Sequence, residues 1–225
     1  MDIELELENI EWDIICPTGG IPPQPFRVII PQEIAPIITP RLYLRQTQME
    51  DAESFRDIKS SPEHVKWSYP YNPNPTIDET KSWIRSKIFT APDLAAGRCY
   101  HFAIIQRDDP SERVIGAVGV NQVLPVPNVG YGVHLEFNGK GYATEALKGI
   151  LDTWWAFPRV PAGEGTENEK GNKRRELVIA HYNKKNHGSA KVLEKCGFMV
   201  YNEHLYDDGS VVCFAALQRP ESQTE

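Results

Sequence analysis

One stretch of the chain limits its architecture more than any other. An apolar run from about Val129 to Leu135 leads into two glycines, Gly139 and Gly141, and then into a long amphipathic segment. There Ala143, Ala146, Leu147, Ile150, Leu151 and Trp154 recur at i, i+3, i+4, i+7, i+8 and i+11, the stripe of a helix with one buried face. Pro158 stops it, and a second apolar run, Glu176-Leu177-Val178-Ile179-Ala180, continues to about residue 182. Strand, helix and strand at this spacing predict a crossover between two parallel strands of one sheet.

Gly139, Gly141 and the small Ala143 sit where the first strand gives way to the helix. Small side chains let backbone N–H groups approach an anion closely. The first-turn amides of a helix have no internal partner, and the helix dipole adds to the attraction, so the natural guest is a pyrophosphate. Lys140, Lys184, Lys185 and Lys191 can add charge for further phosphates, although surface lysines more often only solvate a face.

Around this unit the chain alternates short strands and helices. Arg41-Leu42-Tyr43-Leu44-Arg45 reads as a half-buried strand. Thr47 with Glu50 and Thr76 with Glu79 have capping-box spacing and predict two helices. Strands follow near 100–106 and 114–123. A short helix carrying Ser189, Val192, Leu193 and Cys196 ends at Gly197, and Asp208-Gly209 joins two last strands as a hairpin. Residues 1–37, broken by many prolines, read as an extension in which 26–30 can form a short strand. The domain proper spans 38–219, with a flexible insertion at 158–175 and a tail at 220–225. Removing residues 1–36 is expected to leave a folded core.

Composition excludes several roles. Asp2, Glu4, Glu6, Glu8, Glu11 and Asp13 precede any basic residue and account for six of the net charge of −7. The remainder is nearly neutral and offers no broad basic surface for nucleic acid. That acidic arm is most simply a solvated tail, the alternative being attraction of a cationic substrate. No run of about 18 apolar residues predicts a membrane span, and the acidic start is unlike a secretory signal. Cys16, Cys99, Cys196 and Cys213 are too scattered for a zinc site or a disulfide framework, so no metal is expected and the reading is a cytoplasmic protein.

Three kinds of phosphate loop are separable. In a P-loop, Gly-Lys is followed by Ser or Thr, whereas Gly141 follows Lys140. A dinucleotide fingerprint needs glycine where Thr144 stands and an acid near Arg159 and Val160. Coenzyme A remains. Gly130-Tyr131 with Asn138-Gly139-Lys140-Gly141-Tyr142-Ala143-Thr144-Glu145-Ala146-Leu147 resembles the acyl-CoA motif of the GNAT superfamily, in its RimJ/RimL-like branch. Asn186-His187-Gly188-Ser189 through Gly197-Phe198 is similar to that family's second cofactor-side helix, and Pro40 to Arg45 with Glu50-Asp51-Ala52 to its opening strand and helix.

The resemblance implies an α/β fold of the α+β kind. It has a mixed, mostly antiparallel sheet of about seven strands with a central splayed parallel pair, and about four flanking helices. It implies an N-acetyltransferase moving acetyl from acetyl-CoA to a primary amine, on a protein N-terminus or a small molecule, by direct attack. The cofactor contacts it implies are Val133, His134 and Leu135 by backbone, Asn138, Gly139, Lys140, Gly141, Tyr142, Ala143 and Thr144 at the phosphates, and Asn186 and Ser189 on the second helix. It also implies a catalytic contact of Ser189 with the pantetheine or the thiolate. Glu136, His134, Glu203 and His204 are candidates for the base, and Trp67, Tyr69 and Tyr71 border the acceptor or pack the core. Two departures stand out: Asn138 opens the motif where the family commonly has Gln or Arg, and Leu193 occupies the place of a tyrosine that acts as general acid in many members. The rival from another class is a non-catalytic acyl-CoA-binding or sensing module; a nucleotide-dependent oxidoreductase is a distant third. A monomer and a homodimer are both compatible with the sequence.

Overall fold

A computed structural model describes residues 24–31, 33–67, 75–88, 100–123, 126–162 and 176–220. The chain begins with β1 (Phe26–Val28), β2 (Ile37–Ile38), β3 (Leu42–Gln46), α1 (Ala52–Ser60), α2 (Pro62–Val65) and α3 (Ile77–Lys87). It continues with β4 (Tyr100–Gln106), β5 (Val114–Gln122), β6 (Asn128–Val133), α4 (Tyr142–Ala156), β7 (Arg159–Pro161) and β8 (Leu177–Asn183). Last come α5 (His187–Lys195), β9 (Met199–Leu205) and β10 (Val211–Gln218).

Eight strands make one sheet in the order β2-β3-β4-β5-β6-β8-β10-β9, and β1 pairs with β7 apart from it. Every neighbouring pair is antiparallel except β6 with β8. That parallel pair is joined at a single position, Asn128 opposite Ile179, next to a bond of 2.8 Å from Ile179 N–H to the Pro127 carbonyl. Beyond it no ladder links the two strands among the described residues, so they part towards Val133 and Asn183. This is the splayed crossover expected from the sequence, within a mixed sheet of eight strands rather than about seven.

Alternation along β4 shows how the sheet is sandwiched. Tyr100, Phe102 and Ile104 join a core with α4, whose Ala146, Leu147, Ile150, Leu151 and Trp154 are buried as the stripe predicted. Ala103 and Ile105 face the other way, packing with Phe55 and Ile58 of α1 and Ile84 of α3. A strand covered on both faces has no polar alternation, and β4 has none.

Three local expectations change. Thr47 does not cap a helix: its hydroxyl meets His101 Nδ1 at 2.8 Å, and the capping box is Gln48 with Asp51, one residue later. Val28 and Ile30 are buried in the main core and β2 lies at the sheet's edge, so residues 24–31 and 33–38 belong to the fold rather than to an extension. Prolines there mark corners between short strands, not loss of structure. Likewise Arg159–Pro161, expected inside a flexible insertion, is a strand held against β1. Arg159 fixes it by donating to Glu176 at 3.1 Å and to the Trp154 carbonyl at the end of α4 at 2.7 Å.

Candidate active site

The glycine loop closes one end of the gap between β6 and β8. Gly139 and Gly141 have φ of +75° and +84°, a region that costs a side chain energy, which is why glycine stands at both. Gly141 is the N-cap of α4 and contributes no side chain to it. The first backbone bond of the helix runs from Glu145 N–H to the Gly141 carbonyl at 3.0 Å. Among the described residues nothing accepts from the N–H groups of Tyr142, Ala143 or Thr144, and they stand ready for an anion. Lys140 is exposed with its ammonium 5.2 Å from the Phe137 ring, and the exposed Asn138 donates its backbone N–H to the Leu135 carbonyl at 3.1 Å.

Sequence reading gave Arg41 only a place in the opening strand. The structure turns it back onto the loop: its Nη1 donates to the Lys140 carbonyl at 3.0 Å, and its guanidinium lies 4.6 Å from the Tyr142 ring. Glu145, in the first turn of α4, accepts from Arg41 Nε at 2.6 Å, from the Arg41 N–H at 2.8 Å and from the Thr39 hydroxyl at 2.6 Å. Burial works to raise the Glu145 pKa, but the Thr39 and Arg41 bonds outweigh it and hold the carboxyl below its usual range.

On β6 the hydrogen-bond parity is fixed by His134, whose N–H donates to the Ile115 carbonyl at 2.7 Å. Alternation then turns the backbone of Val133 away from β5, towards the gap. The His134 carbonyl accepts from Phe137 N–H at 2.9 Å. Val133 and the N–H of Leu135 are the groups left to pair with a guest. Facing them, Asn186 caps α5 by accepting Ser189 N–H at 3.1 Å, a structural duty for an oxygen expected to serve a cofactor. The Ser189 carbonyl accepts from the Tyr131 hydroxyl at 3.0 Å, tying β6 to α5 across the gap, while Leu193 is buried.

The proposed bases separate clearly. Glu203 lies on the edge strand β9, with β10 and β8 between it and the gap, and its carboxylate accepts from Lys184 at 2.6 Å. Strands stand about 4.8 Å apart, so its backbone lies two strands away from β8; His204 lies on the same edge. The hairpin at Gly209 brings β10, not β9, beside β8, an order local patterns do not encode. Glu136 is exposed and bound to Arg113 at 3.2 Å. His134 Nδ1 accepts from Glu136 N–H at 3.3 Å and its Nε2 faces Asp57 at 3.8 Å.

A residue missed in the sequence is better placed. His64, on α2, lies over Gly132 of β6: a Cβ there would stand 3.2 Å from its Cε1 and 3.5 Å from its Nε2. Burial lowers its pKa; the Val133 backbone opposes this in part, and His134 and Lys59 add to it. Its neighbour on β6 is a glycine because a side chain at 132 meets that ring. The glycine at 132 was the available signal, with nothing local to pair it with position 64. Trp67 is exposed next to Lys66, 5.2 Å away; Tyr69 and Tyr71 lie outside the described residues. No group of three metal-ligating side chains occurs, and no helix is long and apolar enough to cross a membrane, among the described residues.

The family model for the acetyltransferase (GNAT) domain matches residues 41–199. The chain belongs to the GNAT acetyltransferase family. A curated relative, the uncharacterized N-acetyltransferase p20 of Bacillus licheniformis, is 31% identical over 120 residues, covering 52% of this chain. The match spans 64% of that relative's own length, just under two thirds. A GNAT-family acetyltransferase from Bacillus anthracis superposes with a TM-score of 0.63 at 18% identity, over 83% of this chain and 100% of that one. RimL, a ribosomal-protein alpha-N-acetyltransferase in complex with coenzyme A, gives 0.62 at 14% identity, over 82% and 98%. The microcin self-immunity acetyltransferase MccE, in complex with acetyl-CoA and AMP, gives 0.61 at 14% identity, over 85% and 98%. At these identities the structures establish the GNAT fold. In this GNAT domain a tyrosine hydroxyl reaches α5 from β6, at Tyr131.

Proposed function

We propose that this chain is an N-acetyltransferase that moves an acetyl group from acetyl-CoA to a primary amine by direct attack. The observation that carries the reading is the row of uncapped amides at Tyr142, Ala143 and Thr144, beside a gap where β6 and β8 are joined only at Asn128 and Ile179. A pyrophosphate on those amides aims the pantetheine arm into the gap, where Val133 offers backbone partners. The Leu135 N–H then faces the thioester oxygen and stabilises charge that develops there.

His64 takes one proton from the ammonium of the acceptor, as a neutral imidazole at the edge of β6. The freed nitrogen lone pair attacks the thioester carbon, the C–N bond forms and the C–S bond breaks. The second proton leaving the nitrogen passes to the coenzyme A thiolate, and His64 returns its own to solvent. Holding amine and thioester together supplies much of the rate, with effective molarities of about 10⁵ M or more for well-placed groups. The acceptor is a protein N-terminus, as the name of RimL states for that protein, or a small-molecule amine.

Thiol release from acetyl-CoA, followed against a panel of primary amines, tests the reading. Amine-dependent turnover is expected. Tight binding of coenzyme A with no turnover for any amine assigns the chain to the sensing modules instead.

A further inference from the structure

On the α1–α3 face, apolar packing stops beside β5 and β6 and a cluster of cationic groups begins. Lys59 of α1 places its ammonium 3.6 Å from the centroid of the Trp83 ring, and Lys87 of α3 lies 5.9 Å from the same centroid. His101 packs edge-on against that indole at 5.4 Å. Lys87 donates to Asn121 Oδ1 at 3.1 Å, and Asn121 in turn covers Gly130, where a Cβ would fall 2.1 Å from its Nδ2. His64 covers Gly132 two residues along the same strand. The lysines, Asn121 and His64 therefore border one stretch of β6, on the side of the sheet away from α4 and α5.

Among the described residues, five acids of this region are already engaged. Asp51 is held by Arg45, Glu53 by Arg56, Glu63 by Lys66, and both Asp57 and Glu136 by Arg113. Among the described residues no carboxylate and no carbonyl pairs with Lys59, although its side chain is partly buried. Burial first, and repulsion from Lys87 second, push the Lys59 pKa down to about 8. An ammonium out of water with a second ammonium as neighbour is costly, and a ring face recovers only part of that cost. An anion placed between the two lysines recovers more. A polycationic acceptor meets repulsion in the same place.

We infer that the acceptor amine carries an anionic group, a carboxylate or a phosphate, held by Lys59 and Lys87 while its amine faces His64 beside β6. This rests on the transferase reading above and names its substrate class.

The test is kcat/KM for matched acceptors: 4-aminobutyrate and 3-aminopropyl phosphate against butylamine and spermidine. An advantage of about tenfold or more for an anionic acceptor is expected, as for a charge-assisted hydrogen bond. The better of the two anions identifies the group recognised. Lys59→Met is expected to cut that advantage by about tenfold, chiefly through KM, and Lys59→Arg to retain it. A preference for butylamine or spermidine, or a preference that Lys59→Met leaves intact, overturns the inference. Calorimetric titration of the anionic amines into the coenzyme A complex separates the two readings. Binding that Lys59→Met weakens, without turnover, sinks the transferase reading and keeps the anion site; absence of binding sinks the site.

Discussion

The carboxylate of Glu145 and the guanidinium of Arg41 meet at 2.6 Å, joining the start of β3 to the first turn of α4. An acid in that turn favours the helix dipole but opposes a phosphate on the same amides. Arg41 cancels the second effect while keeping the first. By donating also to the Lys140 carbonyl it turns that oxygen away from the guest, so the loop presents N–H groups alone.

Arg41→Ala is therefore expected to weaken acetyl-CoA binding about thirtyfold, since it uncovers a like charge and frees a carbonyl, each worth about 1 kcal/mol. Isothermal titration measures it. Adding Glu145→Gln to Arg41→Ala is expected to recover part of the loss; an unchanged dissociation constant in Arg41→Ala shows that the loop is set without this pair.

At Gly141 two substitutions separate strain from charge. The positive φ of +84° costs any side chain about 1–2 kcal/mol, so Gly141→Ala lowers the melting temperature by a few degrees. Gly141→Glu carries the same strain and adds a carboxylate at the phosphate amides. Binding of acetyl-CoA is expected to vanish in Gly141→Glu while the two variants melt together. Equal affinity in both removes the phosphate site from this turn.

The loop, the α4 stripe and the crossover were legible because each is written in consecutive residues: glycines where φ is positive, apolar side chains every third or fourth place, a proline after the end. The Thr76–Glu79 capping box was legible for the same reason and is present on both sides. Arg41 with Glu145, and His64 with Gly132, depend on which distant strands and helices meet, and no local period records that. The distance of Glu203 from the gap was not legible either, because it is set by strand order, with β10 inserted between β8 and β9. Thr47 misled because His101, on the adjacent strand, competes for the hydroxyl that local spacing assigned to a cap.

His101 also makes stability depend on acid. Burial first, then Lys87 and Lys59, lower its pKa from 6.5 to about 3. Between those values the unfolded chain takes up a proton that the native imidazole refuses. The associated stability is complete above pH 6.5 and is lost as pH falls towards 3, at up to about 1.4 kcal/mol per pH unit. Urea midpoints at pH 7 and pH 5 measure the loss, and His101→Gln is expected to flatten it. An equal acid slope in that variant assigns the effect to other groups.

Deleting residues 1–36 tests whether the proline-rich start belongs to the domain. Val28 and Ile30 are 4% and 1% exposed in the main core, and Gln24 Oε1 accepts from Leu177 N–H at 2.9 Å at the start of β8. Losing two such side chains costs about 1.5–3 kcal/mol each, and the buried amide left at Leu177 adds about 1 kcal/mol or more. Against a typical domain stability of about 5–15 kcal/mol, the shortened chain stands near unfolding. Its urea midpoint is expected to drop steeply, and the full-length Val28→Ala/Ile30→Ala double variant to reproduce most of the drop. A shortened chain as stable as the full one shows that this segment only covers a core that closes without it.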